Sequence, residues 1–229
     1  MTTEARSTVW LTRTEPGATA SMAAWRNAGF DPIAAPLLTV NAVVCDTPLD
    51  DGATLIFTSA NGVRHCPEAD RTRRVYCIGP ATARAANEAG FSNIVQGSGD
   101  WNDLLQVIDL HESPFIHIGG RYVRGRIAET LRERGVRAER RVVYASEPVF
   151  GWPVNPGEVS LCALYSPLAA KTLLALPERS PSFDIVALSE AVAAPIRERF
   201  APSRVHVASA PTDGAMMEAA RFAAARDRG

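Results

Sequence analysis

Two long stretches of this chain follow the same script, and that repetition narrows the folds open to it. One reads strand, Thr58-Ser59-Ala60-Asn61, helix, strand, Gly79-Pro80-Ala81-Thr82, helix, strand, Gly99-Asp100, helix. The other reads strand, Tyr165-Ser166-Pro167, helix, strand, Ser189-Glu190-Ala191, helix, strand, Pro211-Thr212-Asp213, helix, at nearly the same spacing. A shorter pair, residues 9–36 and 116–142, shares the order strand, turn, helix, glycine, strand. In each, an arginine (Arg26, Arg132) stands three residues before the glycine (Gly29, Gly135). Written in order the chain is A–B–A′–B′, two similar lobes each built of one short and one long unit.

The elements follow from period. Short β-rich runs fall at 8–12, 32–35, 53–58, 75–78, 93–96, 115–118, 138–145, 159–165, 183–188 and 204–208. Between them, 18–28, 81–89, 101–110, 125–134 and 214–225 carry apolar residues at helical spacing. Gly29, Gly90 and Gly135 stand where a left-handed residue closes a helix. Such alternation specifies an α/β fold, each lobe a parallel sheet flanked by helices. Residues 36–40 and 142–148 lead out of the two short units. Both are extended and rich in proline or β-branched residues, a stiff two-stranded linker. Whether each short unit pairs with its own long unit or exchanges with the other is open at this level. The loop at 151–157, rich in proline and glycine and without periodicity, reads as a mobile surface segment.

Composition removes several classes of function. The formal net charge is −1, so no basic field marks a nucleic-acid or membrane-surface binder. The positive charge is nearly all arginine, Lys171 being the single lysine. Cys45, Cys66, Cys77 and Cys162 form no Cys-x-x-Cys pair, and His65, His111, His117 and His206 are dispersed, so no metal site is expected. The polar residues 1–7 lack the apolar stretch of a signal peptide, and no apolar run is long enough to span a membrane. A cytoplasmic protein with reduced thiols is expected. No amphipathic surplus demands a partner, so a monomer is expected.

In open α/β sheets, ligands bind beyond the carboxyl ends of the strands. The turns there are Arg13-Thr14-Glu15-Pro16-Gly17, Thr58 to Gly62, Gly79 to Thr82, Gly119-Gly120-Arg121, Ser166-Pro167, Leu188-Ser189 and Pro211-Thr212. Each offers a small residue, a hydroxyl or amide, and the unpaired N–H groups of a helix start, which favour anions. Taken singly, such residues are ordinary helix caps. Taken together they describe a cleft lined with donors for a ligand with many anionic groups. No Gly-x-Gly-x-x-Gly follows a strand and no phosphate-loop motif is present. Ser59 and Ser166 lack the nucleophile elbow of a hydrolase. Arg13 and Thr14 stand where response-regulator chemistry needs an acidic pair.

A series of motifs runs through the chain: Val9-Trp10-Leu11-Thr12-Arg13 with Pro16-Gly17, Ile56-Phe57-Thr58-Ser59-Ala60-Asn61-Gly62-Val63, Ile78-Gly79-Pro80-Ala81-Thr82, Val142-Val143-Tyr144 with Glu147-Pro148, and Tyr165-Ser166-Pro167. In order and spacing it resembles the uroporphyrinogen-III synthase family, from about residue 9 to 222. The resemblance implies exchange of the short units: residues 1–36 with 149–229 as one lobe, 41–143 as the other, and 37–40 with 144–148 as linker strands. It implies a lyase of tetrapyrrole and haem biosynthesis that closes hydroxymethylbilane, a linear octacarboxylate, to uroporphyrinogen III with inversion of ring D and loss of water. No metal or organic cofactor is implied. Tyr144 matches the tyrosine proposed in the family as general acid. Arg13, Ser59, Ala60, Asn61, Gly79, Thr82, Gly120, Ser166, Pro167, Leu168, Ser189 and Thr212 are the implied substrate contacts. One turn departs from the pattern: Leu188-Ser189-Glu190-Ala191 stands where a Gly-x-x-Thr like Gly79 to Thr82 is common. That departure motivates an alternative, a non-catalytic tetrapyrrole-binding or regulatory protein of the same fold.

Overall fold

The computed structural model describes residues 6–45, 48–67, 69–123, 125–177 and 182–226. Its elements run β1 (Thr8–Leu11), α1 (Gly17–Asn27), β2 (Asp31–Ala34), β3 (Leu38–Ala42), β4 (Thr54–Phe57), α2 (Ala60–Arg64), β5 (Arg74–Cys77), α3 (Pro80–Glu88) and β6 (Asn93–Gln96). They continue with α4 (Trp101–Val107), β7 (Phe115–Gly120), α5 (Ile127–Glu133), β8 (Ala138–Pro148), β9 (Leu161–Leu164), α6 (Pro167–Ala175), β10 (Asp184–Ala187), α7 (Glu190–Ala193), β11 (Val205–Val207) and α8 (Asp213–Arg226). Gly29, Gly90 and Gly135 all have positive φ, the conformation in which a helix end costs a residue with Cβ most.

Five strands form one sheet in the order β11-β10-β9-β1-β2, every described neighbour pair parallel. Six form the other, in the order β3-β8-β7-β4-β5-β6, with β8, β7, β4, β5 and β6 parallel. The first short unit therefore pairs with the last long unit, β1 against β9, and the third unit pairs with the second, β7 against β4. Contacts divide the chain into two compact units, one of residues up to Thr39 and from Glu147 onward, the other Val40–Ser146. β3 and β8 carry the chain across that division.

Alternation along the strands builds two apolar layers per sheet. In the first unit Trp10, Cys162, Leu164, Ile185 and Ala187 face α6 and α7, while Val9, Leu11, Leu161, Ala163 and Val186 face α1 and α8. In the second, Leu55, Phe57, Val75, Cys77, Ile116 and Ile118 face α2 and α3, while Ile56, Tyr76 and Phe115 face α4 and α5. Trp10 and Trp25 anchor opposite faces of the first sheet and are both fully buried. Truncating either to alanine costs about 3–5 kcal/mol.

Two expectations change. Helix α4 stops at Val107, and a 3-10 turn follows at Leu110–Glu112. The segment at 151–157 is held: Trp152 packs against Trp10 and Phe183, and its indole N–H donates to the Pro177 carbonyl at 2.9 Å. Pro156 is buried as well, in a 3-10 turn that Asn155 caps. Aromatic packing, which loop composition does not report, ties that segment to the core. Among the described residues no helix is long and apolar enough to cross a membrane.

Candidate functional site

In the first unit, the carboxyl ends of β1, β9 and β10 meet the starts of α1, α6, α7 and α8. The Arg13 guanidinium, just past β1, donates to Ser21 Oγ at 2.9 Å and to Asp213 at 3.2 Å, and lies 4.6 Å from the Tyr165 ring centroid. Gly17 makes room for it, since a Cβ there would sit 2.5 Å from Arg13 Nε. That contact gives Pro16-Gly17 a packing reason. Ser166 caps α6 by accepting from the Ala169 N–H at 3.1 Å, with Pro167 and Leu168 as half-buried residues of the first turn. Thr212 caps α8 by accepting from the Ala215 N–H at 3.2 Å.

Ser189 caps α7 by backbone only, its hydroxyl taking no cap hydrogen bond. The helix is four residues long, so it presents little aligned dipole. Glu190, in that departing turn, is paired with Arg197 on the same exposed surface.

In the second unit, Ser59 accepts from the Asn61 N–H at 3.1 Å and caps α2; Asn61 Oδ1 in turn accepts from Arg64 at 3.0 Å. Ser59, Ala60 and Asn61 are half-buried. Gly79 caps α3 without a side chain, and Pro80 fills the first position. Its Cα sits against Gly99, where a Cβ would come within 3.1 Å of the neighbouring Cα. Thr82, expected to present a hydroxyl, is 4% exposed and points with Ala83, Ala85 and Ala86 into the unit. Spacing placed it one helical turn past the glycine but could not say which face it takes.

Tyr144 lies where β8 leaves its pairing with β7, directly opposite Gly120. Its ring rests on that glycine, and on another side the His65 ring stands 5.9 Å away, tilted by 30°. Only 8% of the residue is exposed, yet its hydroxyl has no hydrogen-bond partner among the described residues. Nor is it among the buried unpaired side-chain atoms, which are Arg71 Nη1, Arg73 Nε and Arg140 Nε. The hydroxyl oxygen therefore keeps some accessible surface and is open to solvent.

One neighbour of these turns went unread in the sequence. His117 is buried on β7, and its Nε2 shares a hydrogen bond of 2.9 Å with Thr58 Oγ1, at the head of the turn that caps α2. Burial, then the nearby Arg140 charge, lower its pKa to about 4, so the ring is neutral at pH 7. A histidine two residues before Gly119-Gly120 was the available signal.

The second unit also holds a cavity of about 850 Å³ lined by Leu49, Phe115, Val136 and Arg137 among others. It opens at the amino ends of β4, β7 and β8, opposite to the turns described, and two of its arginines are engaged. Arg141 pairs with Glu139 at 2.6 Å, and Arg132 donates to the Ala138 carbonyl at 3.0 Å. Among the described residues no three His, Cys, Asp or Glu side chains gather as a metal site.

No curated protein sequence matches the chain. Among solved structures, the uroporphyrinogen-III synthetase of Helicobacter pylori 26695 aligns over 95% of this chain and 99% of its own, at 16% identity and a TM-score of 0.69. A mutant uroporphyrinogen III synthase of Thermus thermophilus, an extremely thermophilic bacterium, aligns over 96% and 99%, at 18% identity and a TM-score of 0.56. Those likenesses establish the fold. The family model for uroporphyrinogen-III synthase HemD matches residues 20–218, nearly the whole chain. On that match, with the motif series and the strand-end turns in place, the chain belongs to the uroporphyrinogen-III synthase family.

Proposed function

We propose that the chain closes hydroxymethylbilane to uroporphyrinogen III in haem biosynthesis, with Tyr144 as proton donor to the leaving hydroxyl. One observation carries the residue assignment: a nearly buried phenol whose hydroxyl has no hydrogen-bond partner among the described residues, at the carboxyl end of a parallel sheet. As the phenol gives its proton, the C–O bond breaks, water leaves and an azafulvenium cation forms beside the phenolate. Ring D then attacks through its substituted carbon, giving a spiro intermediate that opens and recloses with the ring inverted. The phenolate recovers its proton from the pyrrole carbon that rearomatises at closure, so the net products are uroporphyrinogen III and water.

The phenol gives a proton at the first step and takes one back at closure. The selection of ring D's substituted carbon is a matter of holding the bilane folded, which orientation accomplishes. The substrate's carboxylates are assigned to the helix starts capped by Ser59, Gly79, Ser166, Ser189 and Thr212. The uncapped N–H groups behind Gly79, at the start of the nine-residue α3, are the sharpest donors there, and the four-residue α7 adds little. Arg13 is assigned to hold that edge, since Asp213 compensates its charge. Thr82 is assigned through its backbone, its side chain being buried. The chain is read as a cytoplasmic monomer; its cysteines, none in a disulfide among the described residues, suit a reducing compartment.

The test is a coupled assay with hydroxymethylbilane, oxidation, and separation of the porphyrin isomers. Predominant type III isomer is expected; type I alone, the uncatalysed product, would overturn the assignment. Tyr144→Phe is expected to lower kcat by about ten- to a hundredfold with the fold intact, because phenols are weak acids at neutral pH and water is a partial substitute. Unchanged turnover would remove Tyr144 from the mechanism.

A further inference from the structure

Strands β7 and β8 pair in step from Phe115 with Ala138 to Gly119 with Val142, and then the register slips. Gly120 faces Tyr144, so Val143 is an extra residue on β8, a bulge inside a parallel ladder. Regular alternation would send Val143 and Tyr144 to opposite faces of the sheet. Instead both pack into the same apolar cluster, Val143 1% and Tyr144 8% exposed. The bulge thus brings the phenol over the end of β7.

What it meets there is a residue without a side chain. A Cβ built on Gly120 would lie 2.6 Å from Tyr144 Cζ, 2.7 Å from Cε2 and 3.0 Å from Oη. These are the atoms at the hydroxyl end of the ring. Gly120 does not have positive φ, so the need for glycine here is steric and not conformational. The surrounding backbone is fixed on both sides. Arg140 donates through Nη2 to the carbonyls of Gly120 and Arg121, the latter at 2.7 Å, and the Arg121 N–H donates to the Tyr144 carbonyl at 2.8 Å.

The geometry points to Gly120 as a positioning residue: its bare Cα, with the Val143 bulge and the Arg140 clamp, seats the Tyr144 hydroxyl where a proton is to be delivered. This rests on the assignment of Tyr144 as proton donor. It also gives Gly120 a role other than direct contact with substrate. The atoms a new methyl would strike belong to the far end of a side chain, so Gly120→Ala displaces the phenol while leaving the strands paired.

The test compares Gly120→Ala, Tyr144→Phe and the double variant by kcat, KM, isomer ratio and Tm. Gly120→Ala is expected to lower kcat by about ten- to a hundredfold, as Tyr144→Phe does, with KM changed less than about threefold. More type I isomer should accompany it, as released substrate closes unaided. The double variant is expected to be no slower than Tyr144→Phe alone, since both changes remove one proton donor. Full activity in Gly120→Ala beside a slow Tyr144→Phe would overturn the seat and leave the acid standing. Multiplicative losses would also overturn it, because Gly120 would then act separately. An unimpaired Tyr144→Phe would instead sink the acid assignment on which the seat rests. A stability cycle with Tyr144→Ala guards against poor folding of the first variant. The Tm loss caused by Gly120→Ala should vanish where no ring lies over residue 120, and a loss of equal size there overturns the seat.

Discussion

Two tyrosines stand at the working edges of their units, one on a strand and one just past a strand, and the protein treats them in opposite ways. Tyr165 follows β9 in the first unit. Its hydroxyl accepts from the Trp25 indole at 3.2 Å, and the Arg13 guanidinium covers its ring. Burial, then the charge of Asp213, push its pKa up. Tyr144, on β8 in the second unit, has a ring as closely packed but a hydroxyl with no partner among the described residues. A phenol that is already hydrogen-bonded and hard to ionise serves as structure; one whose hydroxyl has no partner among the described residues is the candidate for chemistry. The edges around them differ in the same sense. The first unit balances charge against charge, Arg13 with Asp213 and Glu190 with Arg197. At the second unit's edge, Thr58 leans on a histidine kept neutral.

That neutrality is where the comparison breaks most visibly. His117 has a folded-state pKa of about 4 against 6.5 for the free side chain. Between those values the unfolded chain takes up a proton that the folded chain refuses, so stability falls as pH falls from about 6.5 to about 4. The loss amounts to about 2–3 kcal/mol by pH 4.5. Urea titrations at pH 7.5 and 4.5 should show His117→Asn losing less stability over that interval than the parent chain by this amount. Equal losses in the two would mean that His117 takes up its proton as readily in the folded protein as in the unfolded chain, and that the second unit's edge becomes charged as pH falls below about 6.5.

The charged edge of the first unit predicts an intermediate effect. Removing the carboxylate with Asp213→Asn leaves the half-buried Arg13 without its counter-charge and weakens its bonds to α8. The side chains of the pair are 35% and 27% exposed, so solvent screens part of the interaction. The expected cost is about 1–2 kcal/mol by chemical denaturation at low salt, shrinking as salt is added. In the same variant the Tyr165 pKa should move down toward its ordinary value, because the Asp213 charge helps to raise it. Ultraviolet titration of tyrosinate reads that shift, and a pKa that stays put would break the link between the two residues.

The repeat, the sheet class and nearly every strand could be read from the sequence, because they are written in local period: Val9 and Leu11 against Trp10, Leu55 and Phe57 against Ile56. Caps such as Ser59 and Ser166 were legible for the same reason, a small polar residue ahead of a helical pattern. The exchange of the short units was open to residue-level reading, since no local property of residues 8–35 names a partner strand; the motif resemblance supplied it. The seat of Tyr144 was not legible at all. It depends on one residue of slippage between β7 and β8, and a bulge leaves no periodic mark. Gly120 is among the implied substrate contacts, and a ring of the protein itself lies against its Cα. The burial of the Thr82 side chain was not legible either, because a hydroxyl near a helix start looks alike whether it faces ligand or core.

The smallest predicted effect separates the two tyrosines most sharply. Tyr165→Phe removes one partly buried hydrogen bond, from the Trp25 indole, and leaves the aromatic packing under Arg13 in place. The expected cost is about 1 kcal/mol, that of a typical net hydrogen bond with its donor left unpaired. Turnover should stay within about twofold of the parent, since no proton is drawn from a hydroxyl whose pKa burial has raised. Measured beside Tyr144→Phe, the pair should show opposite profiles: stability lost and rate kept at 165, rate lost and stability kept at 144. Equal slowing by both variants would mean that the hydrogen bond from Trp25 does not withhold Tyr165 from the reaction. The distinction between a locked and an available phenol would then have to be abandoned.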